Sequence, residues 1–431
     1  MDNNILKNVK GTFDSLPKDQ IIKQNIIDKL RKNFELYGYL PLETSILCNY
    51  DLLASKYAGG AEILKEVYTL EDQGKRHIGL RYDLTVPFCK VIAANINREI
   101  TLPFRRYEIG KVFRDGPVKL GRDREFYQCD VDLCGLKGTY PEIEMLLMAI
   151  NCYNELGIDI EIEWNNRKFL SGIIEECGIE KSVISKVILS VDKLAKIGEN
   201  GVREEIRSLN ISSQSLDKLF NYFKMDTNEL LNAFDNVANS QLKEGIEEIK
   251  MLNDYIERFN LKECVFTPYL ARGLDIYTGT IWEVFDKERR ITSSIGAGGR
   301  YDKIITNFIN DGNSYPAVGM TFGLVPIFEI ISKNDSDVFY QLYIIPMGKE
   351  FECLKLATDL RRKGIKTIIE MNNKKVKKAF EWANKNNIPF TIVIGENEIN
   401  TGKIKIKDMN GYKEIEVEIN DIQKICEIIN R

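Results

Sequence analysis

The chain reads as α+β: a domain built on an antiparallel sheet and interrupted by a helical insertion, then a smaller α/β domain. Three observations carry that reading. Between Arg76 and Gly135, short strand-like runs are separated by turn residues. From about 175 to 255 the sequence turns helical, polar and poor in strand signals. After Phe339, strand and helix patterns alternate. The length of 431 residues also exceeds a single core and suits two or three domains.

Each element follows from its residues. Pro17 opens the first helix, Ile22, Ile26, Leu30 and Phe34 give it an apolar stripe, and Gly38 stops it. His77–Tyr82, Phe104–Phe113 and Glu125–Leu133 are predicted strands, and Pro141–Leu156 a helix. After the helical insertion, strands resume at Phe266–Tyr269, Ile281–Phe285 and the glycine-rich stretch around Gly296. The polar segment Ser332–Asp337 is the expected linker, placing the domains at 1–331 and 338–431. Beyond it, Phe339–Ile345, Lys366–Glu370 and Phe390–Ile394 read as strands, alternating with helices Glu350–Lys363 and Lys374–Asn386. A small parallel or mixed sheet is expected there.

Composition narrows the function. Hydrophobic residues make up 44% and charged residues 29%, as in ordinary globular chains. No run of 18 apolar residues occurs, so no membrane span is expected. Met1-Asp2-Asn3-Asn4 lacks the basic and apolar segments of a secretory signal, and a cytoplasmic protein is expected. The nine cysteines form no C-x-x-C pair, which fits free thiols in a reducing compartment. His77, the one histidine, falls in a charged stretch, Gln73 to His77, and is expected to be a solvated turn residue. A net charge of −4 argues against general nucleic-acid binding, yet the tail from Val338 holds 17 Lys/Arg against 13 Asp/Glu. Arg361–Lys378 alone carries eight basic residues and one acid, Glu370, which by charge reads first as a solvated helix face.

Four segments can carry chemistry. In Glu125–Leu133 a period of two puts Tyr127, Cys129, Val131 and Leu133 on one side and Gln128, Asp130 and Asp132 on the other. The polar side is either a wet outer face or a pocket floor whose acids attract a cation. The preceding loop offers Arg114, Lys119, Arg122 and Arg124 at one end of a sheet, and arginine's planar fork suits phosphate. Tyr269–Gly279 includes Arg272 and Tyr277; Ile295–Asp302 includes Gly296, Gly298 and Gly299, which let a ligand approach the backbone. No G-x-x-x-x-G-K-[ST] loop occurs, so ATP would not be held by a P-loop.

In this order the four segments, with Lys10–Pro17 before them and Ile394–Glu398 and Gly402–Met409 after, resemble the histidyl-tRNA synthetase family of class II aminoacyl-tRNA synthetases. The resemblance implies a class II catalytic domain followed by an anticodon-binding domain. It implies histidine, ATP and tRNA as substrates, Mg²⁺ held mainly through ATP phosphates, and a homodimer. Asp83 with Gln128 matches the family's α-amino contacts, and Asp132 with Tyr277 its imidazole contacts; Thr85 and Gly298 fall in the same histidine-binding segments. Arg114 and Arg272 match two arginines on the α-phosphate, where charge grows as the histidine carboxylate attacks. Lys119, Arg122 and Arg124 are expected near ATP or the tRNA acceptor end, and Lys374, Lys375, Lys377 and Lys378 near the tRNA in the tail domain.

Two departures stand out. Gly116 occupies a position that is commonly acidic in motif 2, and Val325-Pro326 follows Gly323-Leu324 where motif 3 commonly ends in Glu-Arg. The missing arginine would suit a non-catalytic paralogue that serves as regulatory subunit of ATP phosphoribosyltransferase, whereas Arg114, Arg272 and the tail speak against it. A pseudo-synthetase that senses uncharged tRNA is the third reading.

Overall fold

The computed structural model of the chain describes residues 5–56, 64–96, 98–118, 123–234, 237–272, 276–332, 339–411 and 413–430. Its contacts divide the chain into two compact units, Met1–Lys333 and Asn334–Arg431. Apart from Ser332, the expected linker lies outside the described residues.

The first unit is built on an eight-stranded sheet. Its strands are β1 (Leu40–Pro41), β5 (Phe104–Phe113), β6 (Glu125–Cys134), β7 (Ile160–Asn166), β8 (Cys264–Phe266), β9 (Thr280–Asp286), β10 (Gly296–Arg300) and β11 (Ala317–Gly323). They are ordered β1-β5-β6-β11-β10-β9-β7-β8. The six inner strands pair antiparallel, and only the edge pairs β1–β5 and β7–β8 are parallel. β2 (Leu47–Asn49), β3 (Thr69–Glu71) and β4 (His77–Leu80) form a separate antiparallel sheet.

Alternation along β6 decides which face is core. Cys129, Val131 and Leu133 join Leu30 and Phe34 of the helix Pro17–Leu36 and Met145 and Ala149 of the helix Tyr140–Leu156 in one apolar cluster. Gln128, Asp130 and Asp132 therefore point to the opposite face, whose far end is closed by Phe88 and Ile92 of the helix Thr85–Asn95 and by Ile304 and Ile305 of the helix Lys303–Ile309.

The helical insertion begins earlier than the expected position of about 175. Asn166 accepts hydrogen bonds from the Lys168 and Phe169 backbone N–H groups, so a capped helix starts at Arg167 and runs to Glu176. Ser240–Arg258 returns against it. Gly172 and Gly245 make that approach possible, since a Cβ on Gly172 would lie 2.9 Å from Leu242 Cα and one on Gly245 would meet the Phe169 backbone.

His77 differs from the expectation of a turn residue. The turn ends at Arg76, tied to Asp72, and His77 opens β4 with its ring 4.2 Å from that of Tyr50. It is exposed, and stacking rather than a loop fixes its position.

The second unit is a mixed sheet ordered β13-β12-β14-β15-β16. Here β12 is Leu342–Pro346, β13 Thr367–Ile369, β14 Phe390–Ile394, β15 Lys403–Asp408 and β16 Glu414–Glu418. β12 pairs parallel with β13 and β14, and the last two strands add antiparallel. Two apolar clusters complete the unit, one containing Leu356, Leu360 and Ile425, the other Ala379 and Ala383. Among the described residues no helix is long and apolar enough to cross a membrane.

Candidate active site

The polar face of β6 is the floor of a cavity of about 360 Å³, a size common for small-molecule sites. Asp83, Thr85, Arg114, Gln128, Asp132, Arg272 and Tyr277 all line it. Residues nearly two hundred positions apart thus converge because β11 lies beside β6, with Gly319, Thr321 and Gly323 opposite Asp132, Asp130 and Gln128. Gly319 is required there, since a Cβ would collide with the Asp132 carboxylate.

Each floor residue is oriented by a neighbour. Asp132 is buried; it pairs with Arg106 on β5, Nη2 to Oδ2 2.7 Å, and accepts the Tyr301 hydroxyl hydrogen bond at Oδ1. Arg106 is wholly buried, donates to the Leu84 carbonyl at 3.1 Å and lies over the Phe88 ring. Gln128 reaches Thr321 Oγ1 at 3.4 Å through Nε2. Asp83 accepts from the Val86 backbone N–H at 2.9 Å, which ties it to the start of the helix that carries Thr85. Beneath them, Glu108 is held by Arg81 at 2.8 Å and by Thr44.

The two arginines are set differently. Arg114 lies between the rings of Tyr82 and Phe126, at 4.4 and 5.0 Å, and its Nε donates to the Tyr82 carbonyl at 3.2 Å. Arg272 pairs with Glu283 on β9 and stands 5.7 Å from the Tyr277 ring. Burial works to lower the Arg272 pKa, but Tyr277 and the Glu283 carboxylate outweigh it and hold the pKa above the ordinary value. The cavity therefore presents acids and an amide on its floor with fixed guanidinium groups at its sides, an arrangement suited to a zwitterionic amino acid beside a phosphate.

Not every candidate residue lies there. Gly298 does not line the cavity; a Cβ on it would strike the Trp282 ring and come within 2.6 Å of the Gly319 carbonyl, so its bare Cα serves packing between β9 and β11. Gly296 and Ala297 line the cavity instead. Arg124 turns back into its own loop, with Asp115 at 3.1 Å and the Gly116 carbonyl at 3.3 Å. Lys119 and Arg122 lie outside the described residues. At the motif 3 position, Val325 and Pro326 line the cavity at the start of the helix Leu324–Ile331.

The comparisons with known proteins agree along nearly the whole chain. The family model for histidyl-tRNA synthetase matches residues 11–327, and that for the anticodon binding domain matches residues 341–427. The histidine–tRNA ligase 1 of Bacillus cereus is 44% identical over 426 residues, covering 97% of this chain and 99% of the relative.

The chain belongs to the histidyl-tRNA synthetase family.

A second relative, the histidine–tRNA ligase of Clostridium tetani, is 34% identical over 96% of both chains. Among solved structures, a histidyl-tRNA synthetase from a Nostoc species superposes with a TM-score of 0.85 at 26% identity, covering 98% of this chain and 99% of that one. An ATP phosphoribosyltransferase regulatory subunit/histidyl-tRNA synthetase from Bacillus halodurans superposes with a TM-score of 0.75 at 20% identity, covering 90% and 98%. That second likeness carries the fold alone.

Within the histidyl-tRNA synthetase fold, sequence reasoning missed Arg106, Tyr301 and Thr321 as parts of the site. Arg106 and Glu108 flank Tyr107 on a predicted strand, and a charged pair on one face of a buried strand was the available signal. In the second unit, Val376–Lys385 is the helix; Lys374 precedes it and Lys375 is its N-cap. Lys374 is tied to Glu370 at 2.8 Å and lies 5.2 Å from the Trp382 ring. Lys377 lines a groove with Phe380, Asn384 and Lys407.

Proposed function

We propose that the chain is a histidine–tRNA ligase, which joins histidine to ATP as histidyl-adenylate and passes the histidyl group to the histidine tRNA. The observation that carries this reading is the convergence of Asp83, Gln128, Asp132 and Tyr277 with Arg114 and Arg272 in one cavity, in a chain of this family. Asp83 and Gln128 receive the α-ammonium group, and Asp132 and Tyr277 face the imidazole, with Thr85 beside them. The histidine carboxylate, ionised at neutral pH, attacks the α-phosphorus without a protein base. Negative charge grows on the phosphate oxygens, and the guanidinium groups of Arg114 and Arg272 stabilise it. Both are oriented before substrate arrives, so little reorganisation accompanies the reaction.

Among the described residues no cluster of three His, Cys, Asp or Glu side chains could hold a metal ion. ATP would bring Mg²⁺ with it, and the ion would supply charge neutralisation at the phosphates, while Arg114 and Arg272 act from the protein side. Lys119, Arg122 and Arg124 serve ATP or the acceptor end; Arg124 does so by bracing the loop through Asp115. Lys374, Lys375, Lys377 and Lys378 lie along the tRNA path of the tail domain. The enzyme works as a cytoplasmic homodimer, a reading that its family membership supports.

Histidine-dependent exchange of pyrophosphate into ATP by the purified chain tests the reading. Exchange with histidine and with no other amino acid is expected. No exchange under saturating ATP and Mg²⁺ overturns it and turns attention to the regulatory-subunit alternative, for which Val325-Pro326 is the supporting feature.

A further inference from the structure

The floor of the cavity holds a carboxyl group that the reading above does not use. Asp130 stands between Gln128 and Asp132 on β6, lines the cavity and is 4% exposed. Its Oδ1 has no hydrogen-bond partner among the described residues. The groups around it are mainly acidic. Glu108 is opposite on β5 and Thr321 opposite on β11. Asp132 shares its strand, Asp83 acts on it from the segment before the helix Thr85–Asn95, and Tyr301, following β10, is engaged with Asp132. Arg106 is divided among these acids, 2.7 Å from Asp132 and 3.6 Å from Glu108. Arg81 is taken by Glu108.

A buried carboxylate with acidic neighbours and an unpartnered oxygen is costly, so it either carries a proton or receives a cation. Burial pushes the Asp130 carboxyl up to about 7; Arg106 and a hydrogen bond from the Thr321 hydroxyl pull it down, and Asp132 and Asp83 add to the rise.

We propose that Asp130 is a specificity-determining residue that shares one proton with the imidazole of bound histidine, so that the pocket accepts the ring together with a proton. The proposal rests on the histidine reading above. Binding displaces water from the carboxyl group, which strengthens its hold on a proton, and the carboxyl and a ring nitrogen share that proton in a charge-assisted hydrogen bond. Free imidazole titrates at about 6.5. Above both values, neither the empty site nor the free ring carries the proton, and binding takes one from the buffer. A ring of the same shape but low basicity, as in 1,2,4-triazol-3-ylalanine, shares it poorly and is rejected.

Calorimetry of L-histidine binding to the full chain at about pH 8, in buffers of different ionisation enthalpy, reads the proton count directly. The wild type is expected to take up close to one proton per histidine, Asp130→Glu to keep most of that uptake, and Asp130→Asn to lose it. Asp130→Asn should also bind the triazole analogue nearly as well as histidine. Histidine binding with an uptake near zero in the wild type, or an equal uptake in Asp130→Asn, overturns the proposal and leaves the ligase reading standing. Should Asp130→Asn not fold, the wild-type proton count decides alone. No histidine binding at all removes the ligase reading and this inference with it.

Discussion

Arg114 and Arg272 illustrate two ways of immobilising a guanidinium. Arg114 is clamped between two aromatic rings and a carbonyl, whereas Arg272 is steered by a carboxylate. If both stabilise the charge that grows on the α-phosphate, Arg114→Ala and Arg272→Ala each slow adenylate formation by about 10²- to 10³-fold. Single-turnover kinetics check this, and an unchanged rate for Arg272→Ala removes it from the chemistry. Arg114→Lys keeps the charge but loses the planar stacking, so it should fall between wild type and alanine. Arg106 makes a different prediction. It is wholly buried and paired with Asp132, so Arg106→Met leaves that carboxylate without its cation. A loss of about 3–5 kcal/mol in stability is expected, measurable by denaturant unfolding. A mutant as stable as wild type would mean that Asp132 is neutral in the folded protein.

At the scale of elements, the site depends on the β6–β11 pairing. β11, Ala317–Gly323, was not anticipated, because glycines at positions 319 and 323 weaken the strand pattern that Val318, Met320 and Phe322 would otherwise make. The same absence of a side chain at Gly319 makes room for Asp132. Gly319→Ala should displace the Asp132 carboxylate and raise the KM for histidine by about 10- to 200-fold, the range for a misfitting methyl group in a specificity pocket. The KM for ATP should move far less. Equal changes in both would point to a general distortion of the sheet. β6 was legible because the strict alternation from Tyr127 to Leu133 leaves little ambiguity, and its polar face was singled out. Whether that face was wet or a pocket floor was not legible, since a period of two fixes sides and not what covers them.

At the scale of the molecule, each compact unit has its own apolar core, so the first should fold and function without the second. A chain ending at about residue 332 is expected to keep histidine-dependent pyrophosphate exchange and to lose most tRNA charging. Charging at full rate by that truncated chain would deny the tail a role in tRNA recognition. Within the tail, neutralising Lys374, Lys375, Lys377 and Lys378 should weaken tRNA binding and flatten its salt dependence. The slope of log K against log salt should fall by about 0.7–0.9 for each phosphate that is no longer neutralised. Lys374 is already paired with Glu370 and should contribute least.

The sequence by itself determined the long helices, the central strands and the order of motifs that marks the family, because periodicity and short motifs are local properties of a chain. It also singled out seven residues that line the cavity: Asp83, Thr85, Arg114, Gln128, Asp132, Arg272 and Tyr277. Only the tertiary structure decided that they meet, since β11 must come between β6 and β10 before the Ile295–Asp302 segment can approach Gln128 and Asp132. It also decided what surrounds them. Arg106, Tyr301 and Asp130 acquire their roles from burial and from neighbours distant in sequence. Gly298 and Arg124 turn to packing and loop bracing for the same reason. A charge is defined chemically by its side chain, but its cost and its use depend on the dielectric and the partners that folding places around it.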